Sequence, residues 1–186
     1  VAHRGPAMIG AIRDADGAII GLHRTWLAPD GRGKADLPDA KRVLGAVWGG
    51  MGHLTEYADT AILGEGYETT LAFVAARLRI DLTPVCAISG ISLNNMAGGQ
   101  ISAERQRFRA SRPAWPDPER PGLILPKCIK RVIILVDADG KQPEVIEKKI
   151  DLARAKFLSR GVKVSAKYPL RGTDFADVAQ AMLTAD

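Results

Sequence analysis

The chain is poor in cysteine and histidine, and it contains no long apolar run. Cys86 and Cys128 are the two cysteines of the chain and stand far apart in sequence, which predicts buried, reduced thiols in a cytoplasmic protein. The histidines show no metal-ligand spacing with one another or with the cysteines, so we expect no zinc site in this chain. Neither an apolar run of about 18 residues nor a basic-then-apolar leader occurs, which argues against a membrane span and a signal peptide.

The overall composition is that of an ordinary globular protein. Of 186 residues, 46% are hydrophobic and 25% are charged, so the chain can bury a core. It begins at Val1, and we expect it to be a piece of a larger protein. The net charge of +5 favours a polyanionic partner without identifying one.

The tetrapeptide Asp-Ala-Asp-Gly occurs at 14–17 and again at 137–140, in different surroundings. The first copy separates two partly alternating apolar runs, which predicts a hairpin whose turn accounts for both aspartates. The second copy follows an apolar run at 132–136 that is typical of a strand buried in a parallel sheet. Ligands bind at the carboxyl ends of such strands, and paired acids there repel each other unless a cation or proton intervenes. Asp137 and Asp139 are therefore candidate metal ligands.

Another short apolar strand, 61–63, ends in Gly64-Glu65-Gly66 and leads into a helix predicted over 67–78. A dinucleotide-binding loop is rejected, because Thr69 replaces its third glycine and a carboxylate between the first two would face the pyrophosphate. If the two strands are neighbours, Glu65 lies at the same sheet edge as the Asp137/Asp139 pair. Hard oxygen ligands without histidine or cysteine suit Mg²⁺ or Mn²⁺ better than zinc.

Strand and helix alternate from residue 60 to the end of the chain. This pattern predicts an α/β fold with an open, mostly parallel sheet flanked by helices and preceded by a small β-rich hairpin segment. We expect a β-rich part over 1–58 and an α/β part over 59–186. The remaining predicted strands are 84–88 and 162–168; the remaining predicted helices are a short one capped by Ser89 or Ser92, one over 143–160, and a terminal one capped by Thr173 or Asp174. The apolar faces of the two long helices are predicted to include Leu71, Leu78, Val145 and Leu158.

Basic residues are available to surround an all-carboxylate site, which cannot bind a polyphosphate without cations. Four of them could form one basic surface on the N-terminal part, with solvated loop charges as the alternative: Arg24, Lys34, Lys41 and Arg42. A second supply is an insertion over about 98–130 that is rich in arginine and proline and includes aromatic residues. It suits single-stranded nucleic acid; a solvated insertion that Trp115 pins to the core is the alternative.

A strand ending in Gly-Glu-Gly before a helix, followed later by a strand ending in Asp-x-Asp-Gly, resembles the Toprim domain of bacterial primases, topoisomerases and several nucleases. The likeness to bacterial, phage and plasmid primases extends over nearly the whole chain, because 12–24 resembles the hairpin before Toprim and 171–175 resembles its closing Gly-x-Asp segment. The resemblance implies that Glu65, Asp137 and Asp139 hold Mg²⁺ and that Asp174 lies near the metals. It also implies that Arg24 lines the nucleotide and template site and that Lys41, followed by Arg42, is another basic contact. On the primase hypothesis below, Arg24, Lys34, Lys41 and Arg42 hold triphosphate or template.

Three functions follow as hypotheses. The first is a primase-like nucleotidyltransferase that makes RNA primers on single-stranded DNA from nucleoside triphosphates, in the replication of a phage, a plasmid or another mobile element, or a bacterial chromosome. Its further partners would be a helicase or other domains of a larger parent protein, in the cytoplasm. The second is a metal-dependent nuclease on the same scaffold, with water as the nucleophile. The third is a non-catalytic nucleic-acid-binding module.

Overall fold

The computed structural model describes residues 3–80, 83–101, 115–137 and 143–169, together with Phe175. Its strands are β1 (Ala7–Arg13), β2 (Ile19–Trp26), β3 (Lys41–Gly45), β4 (Met51–His53), β5 (Thr60–Gly64), β6 (Cys86–Ser89), β7 (Arg131–Leu135) and β8 (Lys163–Lys167). Its helices are α1 (Tyr67–Leu78), α2 (Leu93–Ala97) and α3 (Pro143–Ser159). Within this part of the chain, no helix is long and apolar enough to cross a bilayer.

The first strands form an antiparallel hairpin with a third strand added to it. β2 pairs antiparallel with β1 and with β3. In the turn between β1 and β2, Asp14 Oδ1 accepts hydrogen bonds from the backbone N–H groups of Asp16 and Ala18 at 3.0 and 2.9 Å. Gly17 completes the turn with a φ of 89°, a conformation that glycine adopts without strain. The prediction that this first Asp-Ala-Asp-Gly copy is a turn is confirmed.

The C-terminal strands form a parallel core in the order β6-β5-β7-β8. The predicted α/β fold, with a hairpin before a parallel sheet and helices around it, is confirmed. The two parts share one mixed sheet, because β4 pairs antiparallel with β1 on one side and β6 on the other. This short strand is not among the predicted ones, since three residues carry too little periodicity to reveal it.

Two hydrophobic clusters cover the two faces of the parallel core. On the face that we call the α3 face, Leu63 of β5 packs with Met96 of α2 and Phe157 of α3. On the opposite face, the α1 face, Ile62 of β5 packs with Val74 of α1. Adjacent residues of β5 thus serve different clusters, as expected for a strand buried on both faces.

The predicted apolar faces of the long helices are wrong at four positions, which remain 41 to 58% exposed: Leu71, Leu78, Val145 and Leu158. Three of them lie next to a residue that takes the core position instead: Leu71 follows Thr70, Val145 precedes Ile146 and Leu158 follows Phe157. The buried positions of α1 instead include Tyr67 and Thr70.

The two cysteines also differ from each other. Cys86 is buried within β6, and burial raises the pKa of its thiol to about 11. Cys128 is exposed, contrary to prediction, because the neighbouring Ile129 takes the core position.

The described ends of the insertion are anchored to the body of the protein. The Ile101 N–H donates to the Trp115 carbonyl at 3.0 Å, so the chain on either side of residues 102–114 is joined. Further along, Leu123 is fully buried and its N–H donates to the carbonyl of Asn95 in α2 at 2.7 Å. Trp115 is partly buried. Residues 102–114 and the predicted terminal helix, apart from Phe175, lie outside the described residues.

Candidate metal centre

Glu65 and Asp137 follow neighbouring parallel strands at the same edge of the sheet. Glu65 comes directly after β5 and Asp137 two residues after β7, and the two strands pair with Leu63 opposite Ile134. Ser89 ends β6 on the other side of β5, and its Oγ donates a hydrogen bond to the Glu65 carbonyl oxygen at 3.1 Å. Three strand ends therefore meet around Glu65, as the sequence analysis expected for Glu65 and Asp137.

The glycines around Glu65 allow the first turn of α1 to close tightly on the strand end. A Cβ at position 64 would collide with the side chain of Thr70, so only glycine fits there. Thr70 Oγ1 also donates to the Gly66 carbonyl oxygen at 2.7 Å, while the Gly90 N–H donates to the Gly64 carbonyl oxygen at 2.8 Å. The backbone that carries Glu65 is thus held from both sides.

Three consecutive residues of this first turn tie α1 to three different parts of the protein. The Tyr67 ring stacks on His23 with centroids 5.1 Å apart, and its hydroxyl donates to the Ala11 carbonyl oxygen at 3.1 Å. Glu68 forms an ion pair with Lys41 of β3, with Oε1 and Nζ 2.9 Å apart. Thr69 Oγ1 donates to Asp137 Oδ2 at 2.9 Å. The turn therefore joins the hairpin to the strand ends.

At the junction between α1 and the hairpin, the ionisable side chains of Glu68, Lys41 and His23 influence one another's pKa values. Burial alone would raise the pKa of Glu68, but the hydrogen bond and charge of Lys41, with smaller contributions from a backbone hydrogen bond and from His23, lower that pKa overall. Burial lowers the pKa of His23, and this effect outweighs the attraction of Glu68. At neutral pH the junction accordingly holds a carboxylate paired with an ammonium beside a neutral imidazole.

The four basic residues predicted to bind phosphates do not form one surface. Arg24 and Arg42 are opposite each other in the β2–β3 pair and share one face, whereas Lys41, opposite Thr25, lies on the other face beside α1. The two arginines converge on Asp39: Arg24 Nη2 donates to its carbonyl oxygen and Arg42 Nη2 to its Oδ2, each at 3.2 Å. Lys34 is exposed in the loop after β2. Lys41 alone of the four contacts α1.

Two predicted metal ligands, Asp139 and Asp174, lie outside the described residues. Within the ranges described, no three His, Cys, Asp or Glu side chains are grouped closely enough to hold a metal ion. The donors at the strand ends are hard oxygens: the carboxylates of Glu65 and Asp137, with the Thr69 hydroxyl next to the latter. This donor set fits Mg²⁺ or Mn²⁺.

Four residues that support these carboxylates were not among the predicted site residues: Tyr67, Glu68, Thr69 and Ser89. Thr69 entered the prediction only as a position that is not glycine. The available signal was the position of Thr69 in the first turn of a helix that begins just after Glu65, an acid at the end of a strand. A short polar side chain at that point is well placed to reach a neighbouring strand end.

Comparison with known proteins gives a match in the N-terminal part of the chain. A family model described as a domain of unknown function, DUF7146, matches residues 1–54. The match spans β1 to β4, the strands that contribute the antiparallel pairings, and ends before Glu65 and Asp137. Searches of curated proteins and of solved structures give no significant match.

Proposed function

We propose that this chain is the Toprim-containing catalytic part of a primase-like protein, a nucleotidyltransferase that depends on Mg²⁺ or Mn²⁺. The observation that carries the proposal is the position of Glu65 and Asp137 after neighbouring parallel strands. Support also comes from the order of the parts, since a hairpin precedes the parallel core as the resemblance to primases implies. Asp139 and Asp174 complete the proposed ligand set.

In the proposed reaction, the 3′-hydroxyl oxygen of one nucleotide attacks the α-phosphorus of a nucleoside triphosphate. The bond from that phosphorus to pyrophosphate breaks, and the proton of the hydroxyl passes to Glu65. A bound divalent cation would neutralise and orient the phosphate oxygens. Asp137, held by Thr69, keeps a carboxylate fixed at the strand end throughout. The role of the protein is mainly to position charge, as in other phosphoryl transfers.

The proposed substrates are nucleoside triphosphates and a single-stranded DNA template. The position of Lys41 is compatible with this choice, because Lys41 pairs with Glu68 in the first turn of α1, the turn that directly follows Glu65. Arg24, Lys34 and Arg42 are proposed to contact the template or triphosphate from other parts of the hairpin. A helicase or other domains of a larger parent protein, in the cytoplasm, are the proposed partners.

Primer synthesis tests the proposal. The chain, and the longest native form of its parent, are incubated with labelled nucleoside triphosphates and single-stranded DNA in Mg²⁺ or Mn²⁺. We expect labelled primers, and we expect Glu65→Gln and Asp137→Asn each to reduce their formation by at least about 100-fold, because each removes a charge that holds the cation or accepts the proton.

The chain supplies its own control in the first Asp-Ala-Asp-Gly copy. Asp16→Asn makes the same chemical change in an exposed turn, and it should leave primer synthesis intact. Strand cleavage with the same sensitivity to Glu65→Gln would identify a nuclease instead. Nucleic-acid binding without any chemistry, in the longest native form, would identify a binding module.

A further inference from the structure

We infer that Thr69 is a positioning residue that orients the Asp137 carboxylate toward a divalent cation. The inference rests on the proposed metal centre and deepens it, because it assigns a function to a residue that is not itself a proposed ligand. The observation behind it is the 2.9 Å hydrogen bond from Thr69 Oγ1 to Asp137 Oδ2, which joins residues 68 positions apart.

The Thr69 hydroxyl is held in place by the residues on either side of it. Tyr67 is buried and bonded to β1, and Thr70 is fully buried against Gly64 and bonded to Gly66. The first turn of α1 therefore has little freedom to move relative to the sheet. A donor on such a rigid element fixes the plane of the carboxylate that it binds, and so fixes the direction of both carboxylate oxygens.

The chemical type of the donor also matters. A lysine or arginine paired with Asp137 would neutralise the carboxylate and compete with a cation for it. A threonine hydroxyl is neutral, so the hydrogen bond that it donates orients the Asp137 carboxylate without itself neutralising it. Hydrogen bonding of a ligating carboxylate by such a partner is the usual arrangement in metal sites, and loss of the partner typically costs about 10–100-fold in metal affinity or activity.

The alternative is that the bond only fastens α1 to the end of β7. The two roles differ in what the loss of the hydroxyl changes. A fastening role affects stability, whereas a positioning role affects the affinity for the cation in protein that is still folded. Thr69→Val keeps the shape of the side chain and removes the donor, and Thr69→Ser keeps the donor. Thr60→Val is the matched control, because Thr60 Oγ1 also donates to a carboxylate, that of Asp59 at 2.9 Å, but at the opposite end of β5 from Glu65.

The test is a Mn²⁺ titration followed by electron paramagnetic resonance, on the full chain and each variant, with folding checked by circular dichroism. We expect Thr69→Val to weaken Mn²⁺ binding by about 10–100-fold relative to the unsubstituted chain. The Mn²⁺ affinity of Thr69→Ser should stay within about threefold of that of the unsubstituted chain. Thr60→Val should bind Mn²⁺ with the affinity of the unsubstituted chain. Thr69→Ala replaces the valine variant if the latter does not fold.

The possible outcomes distinguish a failure of this inference from a failure of the proposed metal centre. If the parent chain binds Mn²⁺ and folded Thr69→Val binds it equally well, the positioning role is overturned and the metal centre stands. If the parent chain binds no Mn²⁺, both are overturned. As a second readout, the Mg²⁺ concentration for half-maximal primer synthesis should rise in Thr69→Val, with the maximal rate regained at high Mg²⁺.

Discussion

Lys156 shows how strongly a single side chain can depend on its neighbours. It is only 2% exposed, and its ammonium donates hydrogen bonds to the carbonyl oxygens of Met96, Pro121 and Leu123. These carbonyls belong to the end of α2 and to the returning end of the insertion, so one lysine ties both to α3. An ammonium has three N–H donors, which match three acceptors. The sequence could not reveal this role, because the spacing of residues along α3 does not show which partners cover each position.

We predict that at pH 6, where Lys156 is charged, Lys156→Met lowers the free energy of unfolding by about 2–4 kcal/mol, because buried carbonyls lose a charged donor. Chemical denaturation measures this, with Lys148→Met on the exposed side of α3 as the control.

Burial, and secondarily Arg160, lower the pKa of Lys156 to about 7. Between pH 7 and about 10 the unfolded chain therefore binds a proton that the folded chain does not.

The stability of the parent chain relative to Lys156→Met should accordingly rise with pH over that window. A difference between the two that stays constant from pH 7 to 10 would contradict the lowered pKa. A variant as stable as the parent would contradict the structural role.

At the scale of an element, the first turn of α1 is where the hairpin meets the parallel core. The sequence predicted the bounds of α1 and the position of Glu65 directly after a strand, because both follow from local pattern and from the strand before them. It did not predict that Tyr67 would lie across the sheet, packed against glycines of β1 and β4. That contact joins residues distant in sequence, and a glycine in a strand shows only that something comes close, without showing what.

We predict that Gly10→Ala destabilises the protein by about 1–3 kcal/mol, since the added Cβ would lie 2.5 Å from Tyr67 ring atoms in a packed site. Thermal and chemical denaturation give the magnitude. Gly33→Ala is the matched control, because nothing lies within 4 Å of its added Cβ, and it should change stability by no more than about 0.5 kcal/mol. When Gly10→Ala is made in the Tyr67→Leu variant, which lacks the ring, it should lower the free energy of unfolding clearly less than it does in the unsubstituted chain. An equal loss of stability in both would show that Tyr67 is not the obstacle.

At the scale of the whole molecule, the sheet is continuous from β3 to β8, although the sequence predicted two successive parts. The α/β class and most element positions could be predicted, since apolar periodicity and glycine positions mark them locally. The joining of the parts could not, because it depends on β4 and on long-range pairing. The same limit applies to the basic residues. The sequence shows where they lie along the chain, but only the register of β2 with β3 shows that Arg24 and Arg42 share one face while Lys41 lies on the other.

The joined sheet also places two histidines on hairpin-side strands, His23 buried in β2 and His53 half-buried in β4. Burial lowers the pKa of His23 in β2 and, together with Arg13, that of His53 in β4. Each folded-state pKa lies below the usual 6.5, so as pH falls below 6.5 the unfolded chain takes up protons before the folded chain does. We predict that the free energy of unfolding falls on acidification through this range, by at most about 1.4 kcal/mol per pH unit for each histidine.

Denaturation at pH 7.5 and pH 5.5 checks this prediction. Between the two pH values, the free energy of unfolding should fall less in His23→Gln than in the unsubstituted chain, whatever the stability of the variant at pH 7.5. His3→Gln, at an exposed position, is the control and should lose as much as the parent. An undiminished loss in His23→Gln would exclude His23 as a source of the acid sensitivity.

The central claim is that Glu65 and Asp137 share a divalent cation at the ends of β5 and β7. Anomalous scattering from a crystal of the chain soaked in Mn²⁺ tests it most directly. The account predicts an anomalous peak within about 2.5 Å of a carboxylate oxygen from each of the two residues, and no such peak in crystals of Asp137→Asn. Strong Mn²⁺ peaks elsewhere with none between Glu65 and Asp137, in crystals where that edge of the sheet is open to solvent, would contradict it.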